Sequence, residues 1–344
     1  MNRGDTSRRW VRRTIGAAIL IFVVLLPQFA TAGQLFFADT VLVAIMFATS
    51  TNLLFGQAGI PSFGQAGFFG AGAYAAALAA DRGAPVLLSL LLGTVVAALV
   101  GLLASLIAWR TTGLAFSMIT LAFAQSLYSI AIRADFLGGY NGLAGFPMDT
   151  ILGIDMSDPG YVWYFSAIVC AIVLAGYWVI SRSALGHMLR AVKDDPVRTL
   201  FLGVNVRAYR ALAFVLAAAG AGTAGALSAY INQVVTPDVL YWTSSATPIM
   251  MILLGGMGSF FGPAIGAVVF AGLDHYLSAW TNSYIFYVGV LLYAVLVFLP
   301  KGLVWLPEAV SGWLGRFTGR RSQSPPGGDD AERVLAATGQ GERI

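Results

Sequence analysis

The sequence predicts an all-α integral membrane protein with about ten transmembrane helices, from its composition, its long uncharged stretches and its glycine-rich segments. Of the 344 residues, 58% are hydrophobic and only 10% are charged, whereas a soluble domain carries roughly 25% charged residues. A chain so poor in charge cannot cover itself with a water-compatible surface. The composition therefore excludes an ordinary soluble domain.

Eight stretches contain no Asp, Glu, Lys or Arg and reach the length of about 20 residues that a helix needs to cross a hydrocarbon core. They are 14–38, 40–80, 83–109, 111–132, 159–181, 211–237, 239–273 and 276–300. Six match one helix each, and the two longest, 40–80 and 239–273, can each hold two short helices around a glycine-rich break. These lengths suit helices rather than the roughly ten-residue strands of a membrane barrel.

The N-terminal stretch has a second interpretation. Arginines precede an apolar run that ends at Ala30-Thr31-Ala32, as in a signal peptide with an A-x-A-like cleavage site. The run is longer than a typical signal core, which favours a retained helix. Cleavage would remove one helix and leave the remaining topology unchanged.

Loop charges predict the orientation, because Lys and Arg gather in cytoplasmic loops. The segments rich in bases are 1–13, 182–210 and the tail from Lys301. The connections 134–158 and 232–242 carry aspartates and no base. We therefore expect both termini to be cytoplasmic, and both long blocks to turn back on the cytoplasmic side, at Gly56–Gly67 and Gly255–Gly262.

The chain is accordingly divided into three parts. Residues 1–13 form a basic cytoplasmic N-terminus, 14–306 a transmembrane domain that includes the cytoplasmic loop 182–210, and 307–344 a cytoplasmic tail. The tail is rich in Pro, Gly and charged residues, a composition typical of disorder. The net charge of +4 is explained by the cytoplasmic bases, so no nucleic-acid partner is expected.

The first long block contains six glycines and a proline between Asn52 and Tyr74, which predicts an interrupted helix. Helix breaks are expected at Gly56, Gly59 and Gly64. Broken helices in transporters line substrate pathways, and suitable lining side chains here are Asn52, Gln57, Ser62 and Gln65. Close helix packing is the alternative role for these glycines.

The second long block repeats this combination. Glycines at Gly255, Gly258 and Gly262 precede Pro263, and Ser259 lies between them. We expect a second break there, with Ser259 as a further lining residue.

The loop 182–210 is predicted to contain a short helix. Asp194 or Asp195 can cap its start, Pro196 suits the first turn, and Gly203 can end it. Its apolar side consists of Val197, Leu200, Phe201 and Val204. Such a helix either docks a partner or lies at the membrane interface among lipid headgroups.

Taken in order, several segments resemble the branched-chain amino-acid permease family of ABC importers, in particular the type that pairs with a second, related permease. The segments are Asn52-Leu53-Leu54-x-Gly56-x-x-Gly59-x-x-Ser62-x-Gly64-x-Ala66, Thr120–Gln125, Gly138-Gly139-x-Asn141-Gly142-Leu143, Gly203-Val204-Asn205-Val206, Gly255-Gly256-Met257-Gly258-Ser259-x-x-Gly262-Pro263 and Leu299–Leu303. Together they span roughly residues 40–305.

The resemblance implies one of two permease subunits in a bacterial inner membrane, two cytoplasmic ATPase subunits and an extracytoplasmic binding protein. The substrate would be a branched-chain or related amino acid, or urea or an amide in related permeases. In this family the loop helix couples to the ATPase, which assigns that role to Asp194, Asp195, Arg198, Phe201, Gly203 and Asn205. The chain departs from the family at Val197, Arg198 and Thr199, where small residues are usual.

Three other functions compete with this one. An ion-coupled transporter needs ionisable groups inside the membrane, and the only charge expected near a helix interior is Asp274. An enzyme is not expected, because two histidines, one cysteine and no carboxylate cluster offer no catalytic set. A passive channel would not need the large basic loop. The sequence has no phosphate-binding loop of the Gly-x-x-x-x-Gly-Lys-Ser/Thr type, so we expect no cofactor in this chain and ATP hydrolysis by separate subunits.

Overall fold

The computed structural model describes residues 23–107, 111, 113–147, 158–280, 284–298 and 302–305. Helical residues 23–29 are followed in this part of the chain by α1 (Ala32–Asn52), α2 (Gln65–Asp81), α3 (Val86–Ile107), α4 (Gly113–Arg133), α5 (Pro159–Arg182), α6 (Ala184–Asp194), α7 (Pro196–Phe201), α8 (Val206–Asn232), α9 (Trp242–Gly255), α10 (Gly262–Trp280) and α11 (Tyr284–Phe298). The predictions for 1–13 and 307–344 lie outside the described residues.

Short elements complete the description. A π-helical turn, Leu53–Ala58, continues α1, and 3₁₀ turns occupy Asp135–Leu137, Gly139–Asn141, Pro237–Leu240 and Leu303–Trp305. Strand β1 (Leu143–Ala144) pairs antiparallel with β2 (Val234–Val235). The two aspartate-bearing connections, expected on one side of the membrane, therefore meet at the C-terminal end of α8. The 182–210 loop lies at the N-terminal end of that helix.

Within the described residues, five helical segments are long and apolar enough to cross a membrane. They are Ala32–Ala58, Val86–Ile107, Gly113–Arg133, Pro159–Arg182 and Val206–Asn232. The outer side of α3 exposes leucines such as Leu87, Leu91 and Leu99, an apolar surface suited to lipid rather than water. The total of ten helices and the cytoplasmic termini stay predictions.

Two predicted helix boundaries are wrong. The uncharged blocks end at Asp39 and Asp274, but α1 runs through Asp39 and α10 runs through Asp274 to Trp280. Only 3% of the Asp39 surface is exposed. Neighbouring helices shield this carboxyl inside the bundle, where ionisable groups of membrane proteins are usually found, so a single charge did not mark a helix end.

The centre of the bundle is α8, which packs against α1, α2 and α3. Most residues of its buried face between Ala213 and Ala229 are small, with Phe214 and Leu227 as the large exceptions. A Cβ built on Gly72 of α2 would lie 2.5 Å from the Cα of Gly222, so the two backbones are in direct contact. Small residues allow this close approach, which is how helices associate in lipid.

Candidate functional site

The first interruption begins where α1 passes into the π-helical turn. Gly59 ends the turn with φ of 65°, a left-handed conformation that glycine adopts without steric cost. Residues 59–64 are then non-helical until α2 begins at Gln65. The structure thus places a six-residue gap (59–64) in the helical run of the first long block.

Side chains from other helices bond the backbone of this interruption. Ser117 Oγ donates to the Pro61 carbonyl at 2.8 Å, and Thr120 Oγ1 accepts from Phe63 N at 3.3 Å. At the start of α2, Ser245 Oγ accepts from Ala66 N at 2.9 Å. Non-helical backbone at membrane depth needs such partners, and α4 and α9 supply them.

The second interruption separates α9 from α10 over residues 256–261. Ser259 Oγ accepts a hydrogen bond from Gly262 N at 2.8 Å and so caps α10. A Cβ on Gly255 would overlap the carbonyl group of Gly262, whereas one on Gly258 would meet nothing within 4 Å. Gly255 and Gly262 therefore hold two backbones in contact, and Gly258 lies in an open turn.

The two interruptions lie side by side, although about 200 residues separate them in sequence. Asn52 Nδ2 donates to the Ser259 carbonyl at 3.4 Å. A Cβ on Gly56 would lie 2.6 Å from the Met257 carbonyl oxygen. The structure thus brings the two glycine-rich segments together in one site, which we call the double interruption (residues 52–65 and 255–262).

The predicted lining residues surround this site. Asn52, Ser62 and Gln65 are buried, and Gln57 is partly buried. Amide atoms of Asn52, Gln57 and Gln65 find no hydrogen-bond partner among the described residues, although buried polar groups normally have one. These amides can bond water or a polar solute.

Ser62 instead accepts from Gly64 N at 3.3 Å. A Cβ on Gly64 would lie 2.8 Å from the Thr120 carbonyl oxygen.

The loop after α5 contains the predicted short helix. Asp195 caps α7, because its Oδ1 accepts from Val197 N at 3.1 Å and Arg198 N at 3.0 Å. Asp194 is instead the last residue of α6. Gly203 has φ of 80° and follows the end of α7. The structure confirms this helix with Asp195 as its cap.

The outer side of α7 is apolar and open. Phe201 is 86% exposed, and Val197 and Leu200 are exposed beside it. An open groove of about 690 Å³ runs between α7 and the start of α8, and Arg207 and Arg210 line its α8 side. Asn205 Oδ1 caps α8 through Ala208 N at 3.2 Å. This surface is exposed in the part of the chain that the structure describes.

Lys193, at the end of α6, joins this loop to the double interruption. Its Nζ donates to the Gly56 carbonyl at 2.8 Å. From the sequence, Lys193 is only one of the bases of the 182–210 segment, and Ser117, Thr120 and Ser245 have no predicted role in the site. None of these contacts has a local sequence signal, because each joins segments that are far apart in the chain.

Residues 34–300 match the sequence model of the family described as the branched-chain amino acid transport system permease component. The high-affinity branched-chain amino acid transport system permease protein LivM of Escherichia coli K12 is 25% identical over 312 residues, covering 83% of this chain and 73% of that protein.

Two further relatives match over shorter stretches. LivH of E. coli K12, a permease protein of the same named system, is 29% identical over 133 residues, 38% of this chain and 42% of LivH. The autoinducer 2 import system permease protein LsrC of Klebsiella pneumoniae is 33% identical over 156 residues, 41% of this chain and 44% of LsrC. No solved structure matches the chain.

Proposed function

Because the chain belongs to the family of permease components of branched-chain amino acid transport systems, we propose that it forms half of the translocation pathway of an ATP-driven importer for branched-chain amino acids. The chain is a multi-pass membrane transport subunit, and its family is one of permeases rather than enzymes. The observation that carries the proposal is the match to LivM over 83% of the chain.

The proposed assembly contains a second, related permease, two cytoplasmic ATPase subunits and an extracytoplasmic substrate-binding protein in a bacterial inner membrane. LivM and LivH are two permease proteins of one named system, and the chain resembles LivM over far more of its length than LivH. This difference supports a LivM-type subunit with a LivH-type partner. ATP would be hydrolysed by the ATPase subunits, with no cofactor in this chain.

In this assembly the exposed apolar side of α7 docks the ATPase. Arg198, Phe201 and Gly203 lie on or beside that helix, and its cap Asp195 fixes its first turn. Closure of the ATPase dimer would displace α7 and with it the adjoining end of the bundle. The double interruption would then open alternately to the two sides of the membrane, as broken helices do in other transporters.

The substrate follows from the family and from the unpartnered amides of the site. Leucine, isoleucine and valine each carry one ammonium and one carboxylate group. Amide side chains can form transient hydrogen bonds to both groups. Permeases for urea or amides remain the alternative, and LsrC belongs to an autoinducer 2 import system. The binding protein, rather than this chain, would select among these solutes.

The test is uptake in proteoliposomes that contain this chain, a LivH-type partner, the ATPases and the binding protein. We expect ATP to raise uptake of labelled leucine by about tenfold or more over ADP, with urea and acetamide not competing. A second set of vesicles carries a proton or sodium gradient without ATP, because Asp39 is a buried carboxyl that was not expected from the sequence. Uptake driven equally by an ion gradient without ATP would contradict the proposal.

A further inference from the structure

Lys193 makes a contact that links the loop to the double interruption. Its Nζ donates to the Gly56 carbonyl at 2.8 Å. Its aliphatic stem lies over Gly59, where an added Cβ would be 2.6 Å from Lys193 Cγ. Carbonyls at the end of a helix lack helical donors and carry partial negative charge. An ammonium group at this position therefore holds the end of the π-helical turn.

The helix that carries Lys193 is firmly seated. Leu189 and Val192 of α6 are fully buried, and Arg190 Nη1 donates to the Ser181 carbonyl at 3.1 Å. A Cβ on Gly186 would lie 2.5 Å from the carbonyl oxygens of Ile180 and Ser181. Close backbone contact and buried side chains thus hold α6 against the end of α5.

The exposed helix α7 is tied directly to α6. Thr199 is 4% exposed, and its Oγ1 lies 3.1 Å from the Ala191 carbonyl oxygen and 2.8 Å from that of Asp195. The residue that caps α7, Asp195, follows Lys193 by two positions. A displacement of α7 therefore reaches Lys193 through a hydrogen-bonded connection and not through a flexible linker.

The C-terminal end of α5, which precedes the loop, contacts the second interruption. The Arg182 guanidinium carbon lies 3.9 Å from the centre of the Trp178 ring. That ring packs against Phe260 at 4.8 Å and Phe261 at 5.4 Å between centroids. Trp178 of α5 thus contacts the second interruption, whereas the loop contacts the first through the Lys193 ammonium group.

We propose that Lys193 is the positioning residue that transmits movement of α7 to the first interruption, by holding the Gly56 carbonyl while α6 and α7 move together. The inference rests on the proposed function for the source of that movement. In this role Lys193 acts through the Gly56 carbonyl and not on substrate or ATP. Its loss leaves the ATPases able to bind α7 and hydrolyse ATP, but the double interruption no longer follows them.

Two variants, Lys193→Met and Gly59→Ala, break the contact in different ways. Lys193→Met keeps the aliphatic stem and removes the ammonium group. Lys193→Arg is the conservative variant, because it keeps a cationic donor. Gly59→Ala leaves the Lys193 residue unchanged, but the added methyl group displaces its aliphatic stem from the turn. Gly83→Ala is the matched control, because Gly83 also has positive φ, of 77°, and a Cβ there meets nothing within 4 Å.

The first readout is amide hydrogen exchange of residues 53–64 in the purified subunit, which does not depend on transport. We expect Lys193→Met and Gly59→Ala to accelerate this exchange by about tenfold, with Lys193→Arg and Gly83→Ala close to the original chain. Unchanged exchange in both contact-breaking variants would overturn the proposal, and so would equal acceleration in Gly83→Ala.

The second readout is leucine imported per ATP hydrolysed in the reconstituted complex. We expect Lys193→Met to lower this ratio by about tenfold while ATP hydrolysis stays within about twofold of the original. A parallel fall of hydrolysis and uptake would show a merely structural role and overturn the proposal. If Lys193→Met does not assemble, Gly59→Ala gives the same measurement. Absence of ATP-driven uptake by the original complex would refute the proposed function alone, because hydrogen exchange still reports on the contact.

Discussion

Gly72→Leu is expected to abolish recovery of folded protein. A Cβ at Gly72 would meet the Gly222 backbone, 2.5 Å from its Cα and 2.7 Å from its carbonyl carbon. Gly93 of α3 lies at the same helix crossing. A Cβ on Gly93 would lie 2.6 Å from the Gly72 carbonyl oxygen. Two backbones cannot yield as a flexible side chain can, so α2 and α8 would have to separate.

Overpacking of a buried contact costs about 1–3 kcal/mol and more where backbone must move. The measurement is the monodisperse fraction of detergent-extracted protein and its unfolding temperature. Gly176→Leu is the control, because Gly176 is an exposed helical glycine with nothing within 4 Å of an added Cβ, and its variant should stay within about 0.5 kcal/mol. Normal recovery of Gly72→Leu would show that α2 and α8 are not in backbone contact.

Gly255→Ala is expected to lower ATP-driven leucine uptake by about tenfold or more. Its added methyl group would overlap the Gly262 carbonyl, and Gly266 N would lie 3.0 Å away. The substitution would push the end of α9 from the start of α10 and so displace the second interruption from the first, which it contacts through Asn52 and Ser259.

Gly258→Ala provides a control within the same turn, because a Cβ there meets nothing within 4 Å. We expect this variant to transport at close to the original rate. The comparison is made in proteoliposomes with equal amounts of assembled complex. Equal uptake by the two variants, whether lost or retained, would contradict a specific role for the close contact between α9 and α10.

Helix positions could largely be predicted, because a lipid-facing helix needs a long apolar stretch and loops between helices need not be apolar. The ends of helices α3, α4 and α5 lie within three residues of the predicted limits. The prediction failed at Asp39 and Asp274, because an uncharged stretch stops at the first charged residue even where the helix continues past it. Whether other helices shield that charge is decided by tertiary packing.

Local features of the site could also be predicted. Asp195, Pro196 and Gly203 specify the start and end of α7 through short-range geometry. The glycines near Gly59 and Gly255 weaken helices by a similarly local mechanism. Side chains that bond the interruptions could not be found this way. Lys193 reaches Gly56 across 137 residues of sequence, and Ser245 reaches Ala66 across 179.

If the proposed function is right, the double interruption belongs to a pathway whose exposure changes with the state of the ATPases. Gln57 is the best reporter, because it lies on the π-helical turn and its Oε1 has no partner among the described residues. The variant Gln57→Cys would be made in a Cys170→Ala background, which removes the single native cysteine. Gly176→Cys, on the exposed side of α5, is the control.

The measurement is the rate at which a charged, membrane-impermeant thiol reagent labels residue 57 from the ATPase side of the reconstituted complex, without nucleotide and with ATP trapped by vanadate. We expect trapping to change this rate by about fivefold or more, while position 176, which would face lipid on a membrane-crossing helix, stays unlabelled in both states. Equal labelling of position 57 in the two states would contradict this expectation.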